Sequence, residues 1–235
     1  MLELSNLNAH YGLSHVLQGV QLQVAPGEVV GLFGRNGVGK TTVMKTVAGW
    51  LKPSSGSVRF EGRELGGLTP DRIARLGIGF VPEDRRIFPG LTVEENLMLG
   101  MLQRPGRSRA REREILEDTF RRFPRLHERR KQAGTTLSGG EQQMLAVARV
   151  MVGEPKLMLI DEPTEGLAPM IVDEIFRIID DLRSAGMGVL LVEQNVHRAI
   201  EVSNRFYALE RGQVTVSGSA ASSTDRERLM AAISL

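Results

Sequence analysis

Short apolar runs alternate along this chain with turn residues and stretches of helical spacing. Residues 29–33, 77–81, 157–160 and 189–192 are four such runs, each followed by a turn and a helix-like segment. A strand with no polar face needs cover on both sides, and helices between successive strands supply it. The pattern therefore predicts a largely parallel sheet covered by helices, an α/β fold.

The start of the chain reads differently. Leu2, Leu4 and Leu7 alternate with polar residues before Val16, Leu17, Val20, Leu22 and Val24. This predicts antiparallel strands closed by a turn at Pro26-Gly27. Hairpins are also expected where residues 57–60 precede Glu61-Gly62, and where 206–209 and 214–216 flank Arg211-Gly212. From Thr92 to Lys131 the strand pattern vanishes, and Thr92-Val93-Glu94-Glu95 resembles a capping box that opens a helix. One domain over 1–235 is expected. Within it, 1–91 and 155–235 form the core with an antiparallel β subdomain, and 92–154 form an inserted helical subdomain. Residues 217–224 are expected to be a linker before a short terminal helix.

Composition adds limits rather than detail. A chain of 235 residues accommodates one α/β domain with a small satellite. Thirty Lys and Arg against 28 Asp and Glu leave a charge of +2, too small to imply a nucleic-acid or lipid surface. Residues 104–131 carry eleven basic and five acidic side chains, which reads as a solvated helix face rather than an RNA contact. The absence of cysteine excludes disulfides, thiolate metal sites and cysteine nucleophiles, and fits a reducing compartment. No apolar run approaches the ~20 residues that span a bilayer, and residues 1–10 lack a signal-peptide pattern. Any membrane role is therefore expected to come through a partner.

The sharpest chemical signal is Gly34-Arg35-Asn36-Gly37-Val38-Gly39-Lys40-Thr41, which fits G-x-x-x-x-G-K-[ST] directly after the strand at 29–33. Glycines let backbone N–H groups wrap a phosphate chain, the following helix adds its positive end, and Lys40 supplies a cation. Thr41 can ligate Mg²⁺, and the donors continue to Thr42. A second signal is the apolar run at 157–160, ending in Asp161 and Glu162. Ligands gather at the carboxyl ends of strands in an open sheet, so Asp161 is expected to face the metal and Glu162 an attacking water. The plainer alternative for two adjacent acids is a helix cap. A third signal is Leu137-Ser138-Gly139-Gly140-Glu141-Gln142-Gln143 ahead of helical apolar spacing, a second helix N-terminus suited to an anion.

These three motifs in this order resemble the ATP-binding-cassette ATPases, which are built on a phosphate-loop NTPase core. The resemblance implies ATP and Mg²⁺ as ligands. It also implies a dimer in which Leu137, Ser138, Gly139, Gly140 and Glu141 of one subunit complete the nucleotide site of the other. Tyr11 matches the aromatic residue that stacks on adenine, with Val16 beside it; a buried core tyrosine is the rival reading. Three positions depart from the commonest pattern. Glu83 replaces the usual glutamine and can still ligate Mg²⁺ or hold water, though it cannot donate a hydrogen bond. Gln194 takes the place of a histidine, with His197 expected at the surface. The run Pro163-Thr164-Glu165-Gly166-Leu167-Ala168-Pro169 lacks the frequent aspartate.

These departures look like one of the two ATPase subunits of high-affinity branched-chain amino-acid importers, a branch that includes carriers of urea and amides. The resemblance implies a homologous ATPase partner, two transmembrane permeases and, indirectly, a periplasmic or extracellular solute-binding protein. It places the chain at the cytoplasmic face of the cell membrane. Residues 84–95 would receive the permease's coupling helix, with Ile87 and Phe88 exposed for a hydrophobic contact. Two other classes compete: a soluble cassette ATPase of translation or DNA repair, and a nucleotide-responsive binding module without turnover. One cassette with a short helical insert argues against the first. The intact set of Lys40, Asp161 and Glu162 argues against the second.

Overall fold

The computed structural model describes residues 1–234. Strands β1 (Leu2–Tyr11) and β2 (Ser14–Val24) pair antiparallel, and β3 (Val29–Phe33) leads to α1 (Lys40–Val47). Strands β4 (Ser55–Phe60) and β5 (Arg63–Glu64) follow, then α2 (Pro70–Arg75) and β6 (Ile78–Val81). Helices α3 (Val93–Met101), α4 (Arg109–Arg122), α5 (Pro124–Glu128) and α6 (Gly139–Met151) lie between β6 and β7 (Leu157–Asp161). The chain ends with α7 (Pro169–Ser184), β8 (Gly188–Val192), α8 (Val196–Val202), β9 (Arg205–Glu210), β10 (Gln213–Ser219) and α9 (Ser223–Ser234).

The strands form two sheets. One has four strands in the order β2-β1-β4-β5, and the other has six in the order β10-β9-β3-β8-β7-β6. In the larger sheet β9, β3, β8, β7 and β6 run parallel and only β10 turns back. Every residue of β3, β7 and β8 is buried, as their unbroken apolar runs require. Their side chains alternate between two cores. Val29 and Phe33, Met158 and Ile160, and Val189 and Leu191 face one that also holds α3, α6 and α7. Val30 and Leu32, Leu157 and Leu159, and Leu190 and Val192 face the other, shared with α1 and the antiparallel sheet. The fold is thus an α/β arrangement with helices on one face of the sheet and α1 plus the second sheet on the other.

Two boundaries differ from expectation. The first hairpin is closed at Gly12 and Leu13, where Tyr11 pairs with Ser14. Pro26-Gly27 is a turn, but it carries the chain from β2 into the core sheet, with the Gly27 amide bonded to Gly186 O at 3.0 Å. Val24 already pairs with Leu2, so β2 has exhausted its partner before Pro26 is reached. Residues 217–219, expected in a linker, extend β10 along β9. The hairpins at Glu61-Gly62 and Arg211-Gly212 form where expected.

The insertion begins as its sequence predicts: Thr92 and Glu95 form a reciprocal capping box at the start of α3. Much of the basic stretch is ion-paired, with Arg107 and Arg111 on Glu154, Arg125 on Glu128 and Arg129 on Glu141.

Candidate functional site

Strand order builds the site. Because β3, β8 and β7 are parallel neighbours, the loops leaving their carboxyl ends lie side by side, and β6 adds its own loop next to that of β7. These loops carry the phosphate-loop residues, Gln194, Glu162 and Glu83 respectively.

The loop from Gly34 to Gly39 is shaped by close approaches that only glycine permits. Gly34 has φ 144°, and a Cβ there would lie 2.3 Å from Leu209 O. Gly39, at φ 112°, caps α1 and packs where a Cβ would meet Leu17 at 2.9 Å and Val16 O at 3.4 Å. Val16 therefore lies against this backbone turn. Lys40 folds back over its own loop, with Nζ donating to Gly34 O at 2.8 Å and Arg35 O at 3.0 Å. Nζ also lies 3.8 Å from Glu162 Oε1. Burial pushes this ammonium below its ordinary pKa, while the charges of Glu162 and Asp161 oppose the shift.

Asp161 is the last residue of β7 and is buried. Burial raises its carboxyl to about 6, a bond from Thr41 opposes this, and the charges of Glu162 and Glu83 add to it. Its Oδ1 has no hydrogen-bond partner among the described residues. A buried carboxylate oxygen left without a donor, next to a threonine hydroxyl and near Glu83, is a donor set suited to a hard divalent cation such as Mg²⁺. Glu162 follows in the left-handed region at φ 47°, its amide bonded to Val192 O at 2.9 Å. Backbone strain of this kind turns the carboxylate out of the strand toward the neighbouring loop.

There Gln194 Nε2 donates to Glu162 Oε2 at 2.5 Å. A cavity of about 290 Å³ is lined by Asn36, Gly37, Gly39, Lys40, Thr41, Thr42, Glu83, Glu162, Glu165 and Gln194. The sequence-predicted phosphate, acid and switch positions thus converge. His197 is exposed and stands apart. Two residues of the site escaped the sequence reading. Glu165 brings a carboxylate oxygen within 4.8 Å of those of Glu83 and Glu162. Glu193, nearly fully buried, accepts four hydrogen bonds behind the cavity. Its position directly after a buried strand was the available signal.

Other predicted residues lie outside this cavity lining. Tyr11 is 47% exposed at the tip of the first hairpin, which removes the buried-core alternative. Ser138 caps α6 in a second capping box with Glu141, which also pairs with Arg129 at 2.7 Å. Leu137 is buried, and Gly140 packs where a Cβ would meet Ile171 at 2.9 Å. Gly139 lies beside Arg85, whose Nε donates to Gln143 Oε1 at 3.1 Å. Phe88 is exposed, but Ile87 is not: it is half-buried against the core, because Asn96 binds the Phe88 backbone and draws the loop inward.

Comparison with known proteins identifies the family. A family model described as ABC transporter matches residues 17–165. The branched-chain amino acid transport ATP-binding protein BraG of Pseudomonas aeruginosa is 45% identical over 92% of this chain and 91% of its own. LivF of Archaeoglobus fulgidus, a probable branched-chain amino acid transport ATP-binding protein, is 36% identical over 97% and 96%. The lipopolysaccharide export ATP-binding protein LptB of Haemophilus influenzae is 36% identical over 93% and 90%. Among solved structures, the ATP-binding subunit of an ABC transporter superposes with a TM-score of 0.86 at 29% identity, covering 100% of this chain and 95% of that one. A dimeric cassette in a post-hydrolysis state with ADP and phosphate superposes at 0.85 and 26%, covering 94% and 99%. With a family model over more than half of its length and relatives matched over nearly all of it, the chain belongs to the ABC transporter family as an ATP-hydrolysing cassette.

Proposed function

We propose that this chain energises a membrane importer of branched-chain amino acids or related small solutes such as urea and amides. The observation that carries its hydrolytic half is the convergence of Lys40, Thr41, Glu162 and Gln194 on one cavity, with Asp161 bonded to Thr41 beneath it.

In this reading the backbone donors from Gly37 to Thr42 and the Lys40 ammonium grip the β- and γ-phosphates of ATP. Arg35, Asn36 and Gly34 shape that turn, and Tyr11, exposed on its hairpin, stacks on adenine, with Val16 against the Gly39 turn. Thr41, Asp161 and Glu83 would hold Mg²⁺, which would neutralise charge on the phosphate oxygens. Glu162 orients a water in line with the γ-phosphorus and takes its proton as the new P–O bond forms. The bond to the β-phosphate oxygen breaks, releasing ADP and phosphate. Gln194, a neutral amide, fixes the Glu162 carboxylate and donates toward the γ-phosphate. The signature residues from Leu137 to Glu141 lie outside this cavity, which supports their acting on the nucleotide of a paired cassette, homologous or identical. Closure around two ATP molecules then shifts the attached permeases between two states.

An apolar groove of about 550 Å³ between α2, β6 and α3, lined by Trp50, Phe80, Phe88 and Leu99, supports a permease contact. Among the described residues no helix is long and apolar enough to cross a membrane, so the two permeases supply the spanning part. A solute-binding protein would act on them from outside, and this chain would sit on the cytoplasmic side. Uptake is favoured over export because identity to BraG exceeds identity to LptB.

The test is uptake of labelled leucine, isoleucine, valine and urea in cells of the source organism with and without the gene. Loss of one uptake activity, restored by the wild-type gene but not by Glu162→Gln, is expected. Unchanged uptake of all four with defective lipopolysaccharide assembly would transfer the chain to export.

A further inference from the structure

Glu193 is a buried carboxylate that the hydrolytic scheme does not use. It lies immediately after β8 and is 2% exposed, yet each of its oxygens accepts two hydrogen bonds. Oε1 accepts from the Thr164 amide at 3.0 Å and from the Thr164 hydroxyl at 2.5 Å. Oε2 accepts from the amides of Gln194 at 3.0 Å and Asn195 at 3.2 Å. The first pair belongs to the loop after β7, two residues beyond Glu162. The second pair belongs to the loop after β8 and includes Gln194 itself.

Four donors converging from two loops demand a side chain with two acceptor oxygens and no proton to give. A glutamine would turn its NH₂ toward N–H groups on one side and leave them unpaired in a buried place. The carboxylate thus staples together the two loops whose side chains meet at the Glu162–Gln194 bond of 2.5 Å. The other side chains of the two loops do less: Glu162 takes a single cross-loop bond from Gln194, Asn195 is exposed, and Glu165 lines the cavity.

We infer that Glu193 is a positioning residue for hydrolysis, setting the separation of Glu162 from Gln194 and tying both to the loop from Thr164 to Leu167. That loop also lines a neighbouring open cavity of about 580 Å³ with Glu162, Gln194 and Arg198. A contact that moves the Thr164 loop carries Glu162 with it through two residues of backbone and reaches Gln194 through the Glu193 carboxylate. The inference rests on the roles proposed above for Glu162 and Gln194.

The test uses the purified full chain. Glu193→Gln should lower kcat about tenfold or more with ATP affinity within about twofold of wild type, and Glu193→Asp should recover part of the loss. In a Gln194→Ala background the same Glu193→Gln change should cost little further, because its route of action is already cut. Amide exchange should speed up over 162–168 and 193–195 together. Thr164→Val, which removes only the hydroxyl donor, covers the case of poor folding by Glu193→Gln and should lower kcat severalfold. Additive losses of kcat, a kcat equal to wild type, or faster exchange in one loop alone would each overturn the inference. Turnover retained by Glu162→Gln would instead remove the scheme on which it rests, so the two failures are distinct.

Discussion

The Gln194 amide donates to the Glu162 carboxylate at 2.5 Å across a separation of 32 residues. The contact exists because β7 and β8 are parallel neighbours in register, with Asp161 opposite Val192, so the residues that follow them emerge at the same height. A neutral amide at this position holds the carboxylate without supplying or withdrawing a proton.

That neutrality has a kinetic consequence. Gln194→Ala should cut kcat by about tenfold to a hundredfold with nucleotide affinity nearly unchanged, as for loss of one oriented donor. Gln194→His should instead add an acid limb near pH ~6.5, the unperturbed histidine value. Below that pH an imidazolium pairs with Glu162 and weakens it as a base, so the rate falls as pH drops. A pH–rate profile of the variant that matches wild type would exclude the contact from turnover.

Lys40 and Glu162 lie 3.8 Å apart but should fail differently when removed. Glu162→Gln keeps the shape of the site and should bind ATP normally while turnover drops about a hundredfold or more, the loss expected for a missing general base. Lys40→Ala removes a buried cation and the ion pair of Glu162, which keeps its bond from Gln194, so ATP affinity itself should fall by about tenfold or more. Calorimetry separates the two: equal ATP affinity in both variants would show that Lys40 is not gripping phosphate.

Asp161 offers a stability test that needs no nucleotide. Its carboxyl lies at about 6 in the fold against an ordinary 3.8, chiefly because it is buried. A raised value means that the protonated form suits the fold, so its contribution is full below pH ~3.8 and is lost as pH rises through about 6. At about 1.4 kcal/mol per pH unit between the two values, the loss is at most roughly 3 kcal/mol. Asp161→Asn stays neutral and should melt higher than wild type at pH 8 in metal-free buffer, the gap closing toward pH 4, while losing Mg²⁺-dependent hydrolysis. A variant that melts lower than wild type at both pH values would show that Asp161 is held by donors rather than kept for a metal.

Particular residues show how much of the fold is legible in the sequence. The runs 157–160 and 189–192 announced buried parallel strands because a strand covered on both faces has no polar alternation to lose. The phosphate loop was legible since its glycines, lysine and threonine act within one contiguous turn. Glu193 was not, because its four donors come from two loops that meet only through sheet pairing. Asn96 likewise reads as a polar helix position, yet it is fully buried and bonds Phe88, Leu91 and Thr92. Arg149 on α6 grips the carbonyls of Arg85 and Arg86 at 2.9 and 2.6 Å, and both of those residues have positive φ. Their strain is invisible in sequence, as is the half-burial of Ile87 in the same loop. Pro26-Gly27 was read correctly as a turn and wrongly as a hairpin, since a turn signal is local and strand pairing is not.

The two capping boxes supply an internal control for the signature. Thr92–Glu95 and Ser138–Glu141 have the same chemistry: a hydroxyl accepts from the third helical amide while a glutamate accepts from the capping residue's amide. Removing either hydroxyl should cost about 1 kcal/mol, or roughly 2–4 °C of melting temperature for a chain of this size. Thr92→Ala should stop there, because its helix N-terminus is tied to the strand bridge at Ala133 rather than offered to a ligand. Ser138→Ala should show the same thermal loss and also a fall in cooperative ATP hydrolysis at protein concentrations where cassettes pair, since Ser138 is an exposed residue at a helix end able to meet a partner's γ-phosphate. Parallel thermal melts and ATPase titrations on the two variants decide it. If both lose heat stability equally and neither changes in hydrolysis, Ser138 is a cap and nothing more.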